Sequence, residues 1–399
     1  MKILITSDWY TPAVNGVVTS LCNLRRELMA EGHEVRVLTL SGSRRTYYED
    51  GVYYIGSVDA GRIYPGARLR SLATGETVRS ILAWKPDVVH SQCEFSTFFL
   101  AKKIARAVHA PLVHTYHTVY EDYTHYFSPS RRWGRRLARG FTRAVLSQVD
   151  AVIAPTEKTR MLLLGYGIRQ PVYVIPTGIE LTRFREPVSA QKCAARRASL
   201  GIPAENRVLV YLGRLAREKN VGELLDCRES LGTDVTLLIV GDGPARAELV
   251  SKAAARGLLE SKAVVFAGMA EPERVPEYYA LGDVFVSASA SETQGLTYIE
   301  ALAAGLPAVC RADACLAGVI RNGENGWQYH TPAQLAEYTG RLLADDALRA
   351  QLSAGARISS DRFSAQNFAA ACARLYRGQI WCMGGDIAPR EGEVLWQKG

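Results

Sequence analysis

Residues 207–220 read RVLVYLGRLAREKN, a β-rich run that ends at Gly213 and passes into a loop carrying Arg214 and Lys219. Runs of this kind recur on both sides of it. Downstream come DVTLLIVGDGP, AVVFAGM, DVFVSAS and LPAVC; upstream come KILITS, HEVRVLTL, DVVHS, APLVHTY, DAVIAP and PVYVIP. Helix-like segments fill the intervals, among them 16–30, 97–107, 156–165 and, after the last strand, 365–377. Strand–helix alternation predicts parallel sheets with helices on both faces. Because the stretch at 207 restarts a series that has already run once, the chain reads as two Rossmann-like, doubly wound α/β domains in series. They join around 177–203. At 399 residues the chain is also too long for one comfortable core.

In open α/β sheets ligands bind beyond the carboxyl ends of the strands. The loops that matter are then SDWYTPAVNGVVTS after the first strand, HTYHTVYEDY after APLV, GRLAREKN, GDGP, and SETQGLTYIEALAAGLP at 291–307. Two facing domains presenting such loops would enclose a cleft. In the last loop, Gly295 leads into a helix over 296–304, closed by Gly305 and Pro307. Its first amides form an anion site at the positive end of the helix dipole. Glu292 precedes that end and Glu300 lies about one turn inside. A sugar, a diphosphate and a ribose would fit this spacing; so would an amphipathic helix with two solvated glutamates.

Composition is that of a soluble globular chain, 48% apolar and 22% charged. MKILITSDWYTP does not read as a signal peptide, since Asp8 cuts its apolar run. No stretch approaches the roughly 20 apolar residues of a membrane-spanning helix. Eight cysteines without CxxC spacing suit a cytosolic chain with reduced thiols. The net charge of +8 is confined to one half: residues 1–180 hold 23 Lys/Arg against 15 Asp/Glu, the remainder 25 of each. A positive face there would attract nucleic acid, an anionic membrane or an acidic ligand.

Taken in order and spacing, the first loop, GRLAREKN, GDGP and the Glu-x7-Glu pair resemble glycosyltransferase family 4, the retaining transferases of GT-B architecture. HTYHTVYEDYTHY and SETQGLTYIEAL resemble more narrowly the bacterial diacylglycerol glucosyltransferases within it. The resemblance implies an acceptor and membrane-side domain at 1–180, a nucleotide-sugar domain at 181–364, and a helix over about 365–385 packed back on the first. It implies catalytic roles for His117, Glu292, Arg214 and Lys219, with Arg214 and Lys219 clamping the donor diphosphate. Glu300 would accept from the ribose hydroxyls and Glu292 would sit by the sugar. Gly16, Gly241 and the backbone of Gln294, Gly295 and Leu296 would line the donor. His117 matches the family's histidine better than His114, which ends an apolar run. Asp8 either shapes the acceptor site or caps a helix. Asn15 replaces a glycine common in the family; asparagine tolerates left-handed backbone, which would preserve the loop. No D-x-D triplet occurs; the basic pair takes its place, so no metal or other cofactor is expected. The donor would be a nucleotide diphosphate sugar, with retention by same-face attack and the leaving phosphate helping to deprotonate the acceptor.

Residues 128–148, SPSRRWGRRLARGFTRAVLSQ, hold six arginines in thirteen positions: Arg131, Arg132, Arg135, Arg136, Arg139 and Arg143. Trp133, Leu137, Phe141 and Val145 recur every fourth residue as an apolar stripe. This pattern suits a helix in a membrane interface, or a core-packed helix with a solvated basic face. No nucleic-acid motif accompanies it. With Tyr123 just upstream, it points to a lipid acceptor and an anionic membrane surface. The expectation is a cytoplasmic enzyme, peripheral at the inner face of the cell membrane, moving glucose from UDP-glucose to 1,2-diacylglycerol. The alternatives are the same donor chemistry on phosphatidylinositol, a polysaccharide or a small alcohol, and a non-catalytic nucleotide-sugar-binding protein.

Overall fold

The amino-terminal run KILITS forms a central strand, β1 (Lys2–Thr6), whose apolar residues are buried on both faces. After it come α1 (Gly16–Ala30), β2 (Glu34–Leu40), β3 (Tyr47–Glu49), β4 (Val52–Ile55), β5 (Ser57–Asp59), β6 (Arg68–Arg70), α2 (Gly75–Trp84) and β7 (Val88–Ser91). Then follow α3 (Ser96–Val108), β8 (Leu112–Thr115), α4 (Arg131–Leu146), β9 (Ala151–Ala154), α5 (Glu157–Gly165) and β10 (Val172–Val174). The computed structural model describes residues 1–13, 15–60, 68–70, 74–121, 130–289 and 291–383.

Eight of these strands make a sheet in the order β10-β9-β8-β7-β1-β2-β4-β3, parallel except for the β3–β4 pair, while β5 and β6 pair antiparallel with each other. The chain runs outward from β1 to β2, then crosses back to β7 on the other side of β1. That reversal puts a topological switch point at β1/β7, where the strands' carboxyl ends open a crevice. β7, β8 and β9 are buried throughout, as strands covered on both faces must be.

The second series comprises α6 (Thr182–Arg185), α7 (Ala190–Leu200), β11 (Arg207–Leu212), α8 (Val221–Glu229), β12 (Val235–Val240), α9 (Arg246–Ala255), β13 (Val264–Gly268) and α10 (Val275–Tyr279). It closes with β14 (Val284–Ser287), α11 (Leu296–Ala304), β15 (Ala308–Arg311), β16 (Gly326–Tyr329), α12 (Pro332–Ala344) and α13 (Asp346–Ser360). Its six strands are all parallel, in the order β13-β12-β11-β14-β15-β16, with the switch point at β11/β14. Both halves are therefore Rossmann-like, as the alternation predicts.

Contacts divide the chain into Met1–Gly178 with the segment from Ala365, and Ile179–Ser364. The expected boundary stood at 180/181. The joining region is not an open connector: Ile179, Leu181, Phe184 and Ile202 are buried in the second unit's core. The last helix, α14 (Ala365–Cys382), runs beyond residue 377. Its Phe368, Cys372 and Tyr376 pack with Leu21 and Leu24 of α1 over Ile3, Ile5, Val113 and Ile153. Large apolar side chains buried in this way contribute about 1.5–3 kcal/mol each, so α14 is structurally part of the first sheet's cover.

Candidate active site

In the first unit, chemistry-bearing residues cluster just past β1, β7 and β8. Asp8 follows β1, and its carboxylate accepts from the backbone amides of Ser96 (3.1 Å) and Thr97 (2.7 Å). It therefore caps α3 from a neighbouring loop, which corresponds to the capping alternative. Burial outweighs these hydrogen bonds and, with Glu94 nearby, raises its pKa from 3.8 to about 6.

His114, next to last in β8, is fully buried, its Nε2 3.3 Å from Glu94 Oε1. His117, in the following loop, is only partly buried, with Nε2 2.6 Å from Gln92 Oε1. Desolvation lowers its pKa to about 4, with Glu94 opposing and His114 assisting. The ring is thus neutral near pH 7. Glu94 also accepts from the Tyr120 hydroxyl at 2.6 Å, and Phe95 stacks on Phe141 of α4 with centroids 5.6 Å apart. Gln92, Glu94 and Tyr120 are thus as central here as His117, yet no motif singled them out. The strand-end rule would have found the first two, since QCEF directly follows Ser91, the last residue of β7.

α4 keeps its arginines outward: Arg132, Arg135, Arg136, Arg139 and Arg143 are all exposed. The apolar stripe does not form one face. Trp133 (65%) and Leu137 (58%) are exposed, Phe141 is half-buried and Val145 is buried. The reason is geometric. Four residues turn a helix about 400°, so an every-fourth pattern drifts about 40° per step and about 120° over the stripe. The face toward the core is built from Gly134, Ala138, Thr142, Val145 and Leu146. Arg139 donates to the Gly165 carbonyl at 2.7 Å, and Arg135 Nε lies 3.6 Å from Glu121. Arg135, Arg136, Arg139 and Arg143 line one cavity with Glu121. Tyr123 and the Arg131 side chain lie outside the described residues.

Gly16 opens α1, also in the first unit. Asn15 before it is extended (φ −160°), not left-handed, and its Oδ1 accepts from the Val18 amide at 3.0 Å. It acts as an N-cap, a role different from the one expected of it.

In the second unit the loops after β11, β12 and β14 converge. Gly213 and Gly241 have φ of 155° and 138°, and a Cβ on Gly241 would collide with the Gly213 carbonyl oxygen. The Gly213 and Leu215 amides donate to the carbonyls of Val240 and Asp242. GRLAREKN and GDGP are thus one backbone-to-backbone platform, and glycine is required for so close an approach. Arg214 is exposed on it, with its carbonyl held by the Tyr211 hydroxyl at 3.1 Å. Lys219 reaches Glu292, Nζ to Oε1 2.6 Å, with each side chain less than a fifth exposed. Two residues expected at neighbouring parts of a donor are therefore directly paired.

α11 starts at Leu296 behind Gly295, whose φ of 73° makes the turn; no side chain caps the helix. Gln294 is buried beside it. Glu300 accepts from the Tyr279 hydroxyl at 3.0 Å through Oε2. Its pKa is raised by burial against the opposing effects of Tyr279 and Arg183. None of the described residues hydrogen-bonds to Oε1. Among the described residues, no group of three or more His, Cys, Asp or Glu is placed to hold a metal ion, and no helix is long and apolar enough to cross a membrane.

This geometry has known counterparts. The sequence signature of Glycosyltransferase Family 4 matches residues 14–183, and that of Glycosyl transferases group 1 matches residues 194–359. The chain is 35% identical to an alpha-monoglucosyldiacylglycerol synthase of Streptococcus pneumoniae over 341 residues, 84% of this chain and 77% of that protein. It is 32% identical to an alpha-monoglucosyldiacylglycerol synthase of Acholeplasma laidlawii, over 94% of this chain and 96% of that one. Among solved structures, Anabaena HepE in complex with UDP and glucose superposes with a TM-score of 0.71 at 19% identity, covering 95% of this chain and 100% of that one.

Proposed function

The chain belongs to glycosyltransferase family 4 and is a hexosyltransferase; from that premise we propose that it moves glucose from UDP-glucose to 1,2-diacylglycerol at an anionic membrane surface, forming an α-glycolipid. The observation that carries the acceptor is the likeness, over most of the chain, to two proteins named alpha-monoglucosyldiacylglycerol synthase. The exposed Trp133, Leu137 and arginines of α4 agree with it, since a water-insoluble acceptor demands a surface that seeks the bilayer. The enzyme is then peripheral, at the inner face of the cell membrane.

In this reading Arg214, Lys219 and the uncapped start of α11 hold the donor diphosphate. Charge developing on the leaving phosphate is met by two cations and by oriented amides, which is the largest lever available to such a transfer. Those cations do the work a divalent metal would otherwise do, so no metal is required. Glu300 Oε1 accepts from the ribose. Glu292 orients the hexose while Lys219 balances its charge. His117, neutral, accepts from a sugar hydroxyl. The acceptor hydroxyl attacks from the face the phosphate leaves, passes its proton to that phosphate, and the anomeric configuration is retained.

The test is incubation with UDP-glucose or UDP-galactose, with and without anionic vesicles containing diacylglycerol, following UDP release and lipid products together. Glycolipid formed only from UDP-glucose and only with vesicles, unaffected by chelator, with an α linkage by proton NMR, is the expected result. UDP release without glycolipid would overturn the acceptor and leave the transferase.

A further inference from the structure

His117 is held from behind by a buried chain of polar side chains that ends on the last helix. Gln92 Oε1 lies 2.6 Å from His117 Nε2. An amide oxygen can only accept, so His117 must donate there and carry its proton on Nε2. The Gln92 amide nitrogen lies against His90, 3.1 and 3.2 Å from its two ring nitrogens. His90 is itself pinned, Nδ1 to the Tyr376 hydroxyl at 2.6 Å and Nε2 to Thr115 Oγ1 at 2.7 Å. Gln92, His90 and Tyr376 are all at most 1% exposed, and the Gln92 backbone amide is tied to the Thr6 carbonyl at 2.8 Å. With its nitrogen turned toward His90, the Gln92 amide presents oxygen, not nitrogen, to His117. Nδ1 of His117 engages none of the described residues.

We propose that Gln92, backed by His90 and by Tyr376 of α14, acts as a positioning residue that fixes His117 as the Nε2–H tautomer and so leaves Nδ1 as the hydrogen-bond acceptor offered to the donor sugar. The assignment to a sugar rests on the transferase reading above; the tautomer assignment does not. It gives α14, remote in sequence, a part in the active site beyond covering the sheet. The other titratable groups facing His117 are Glu94, after β7, and His114, next to last in β8; both are present in all the variants below.

The experiment is long-range nitrogen–proton NMR of the protein with 15N-labelled histidine, followed from pH 8 to pH 5. His117 is identified among the seven histidines by the loss of its signals in His117→Gln. The wild type should show His117 neutral, with Nε2 protonated, across this range. Gln92→Leu should give averaged tautomer signals. Gln92→Glu, nearly isosteric, should keep Nε2–H but move the titration upward by a unit or more. Tyr376→Phe should shift the tautomer signals part of the way. In turnover assays Gln92→Leu should lower kcat roughly tenfold or more, as expected for a buried donor left unpaired, and Gln92→Glu should move the acid limb of the pH profile in step with the NMR titration. An unchanged tautomer in Gln92→Leu, or an unmoved titration in Gln92→Glu, overturns the proposal. Because the NMR arm uses no substrate, failure to glucosylate diacylglycerol would overturn the reaction assigned above while leaving this test intact.

Discussion

Removing charge from the outer turns of α4 separates the two forces that would hold the protein at a membrane. Arg132, Arg135 and Arg136 are exposed, so Arg132→Ser, Arg135→Ser and Arg136→Ser together should leave the melting temperature unchanged. Arg139 is spared because it also supports the Gly165 carbonyl. Near an anionic surface each arginine adds about 1 kcal/mol of attraction, giving about 3 kcal/mol for the three. At about 1.4 kcal/mol per tenfold, that is roughly 100-fold in partitioning. Glu121, 3.6 Å from Arg135, already offsets part of one charge and trims the figure. In sedimentation with phosphatidylglycerol-containing vesicles, the triple variant should bind roughly 50- to 100-fold more weakly at about 0.1 M salt. The gap should close near 1 M, where the screening length falls to about 3 Å. On zwitterionic vesicles the two proteins should bind alike. Trp133→Ser with Leu137→Ser should weaken both vesicle types, because apolar burial does not depend on headgroup charge. Equal binding of wild type and triple variant to anionic vesicles at low salt would refute the role assigned to α4.

Glu292→Ala should abolish glycolipid formation, as it removes the group proposed to orient the hexose and strips Lys219 of its 2.6 Å partner; turnover at wild-type rate would remove Glu292 from the site. Gly241→Ala must relieve a collision with the Gly213 carbonyl at a φ of 138°, and should cost about 1–3 kcal/mol in denaturant unfolding and weaken UDP binding by calorimetry. Asp8→Asn tests the buried cap. With its folded-state pKa raised from 3.8 to about 6, Asp8 contributes stability that is full below about 3.8 and lost as pH rises through about 6. The wild type should therefore lose about 2.4 kcal/mol relative to Asp8→Asn between pH 4 and pH 7. His117 works in the opposite sense but is common to both proteins and cancels in the difference.

What could be read in the sequence was what punctuation and period encode. α11 was legible to the residue because Gly295, Gly305 and Pro307 stop the chain at both ends, and α1 because its apolar spacing begins directly after a loop. The close approach of GRLAREKN to GDGP was legible because glycines at strand ends carry a steric reason of their own. Gln92 and Glu94 were within reach of the strand-end rule by position, but their roles were not legible, since a neutral amide and one carboxylate in SQCEF acquire partners only when β8 and the loop after it bring His114 and His117 beside them. Nor was the winding of the α4 stripe, where a spacing of four imitates a face for two turns before the drift of the helix carries Val145 into the core. The inward face of that helix is made of Gly134, Ala138 and Thr142, residues too small to register as a hydrophobic pattern.

The two helices that begin after a switch-point strand are not equivalent, and the difference bears on where a diphosphate can be held. α1 begins with Asn15, whose side chain already occupies the Val18 amide; a phosphate there would have to displace that cap, at about 1 kcal/mol. α11 begins with Gly295 and has no side-chain cap to displace, and Lys219 stands paired with Glu292 in the loop that leads into it. A lysine so paired has its charge desolvated and oriented in advance; one N–H goes to Glu292 and one to the Ser291 carbonyl at 3.5 Å, which leaves the third for a ligand oxygen. The cost of ordering that cation is met on folding instead of on binding. The anionic part of a donor should therefore depend on the second unit far more than on α1, and on that reading the asparagine that replaces a glycine in the first loop costs the site little: it stabilises a helix whose amides the diphosphate would not use.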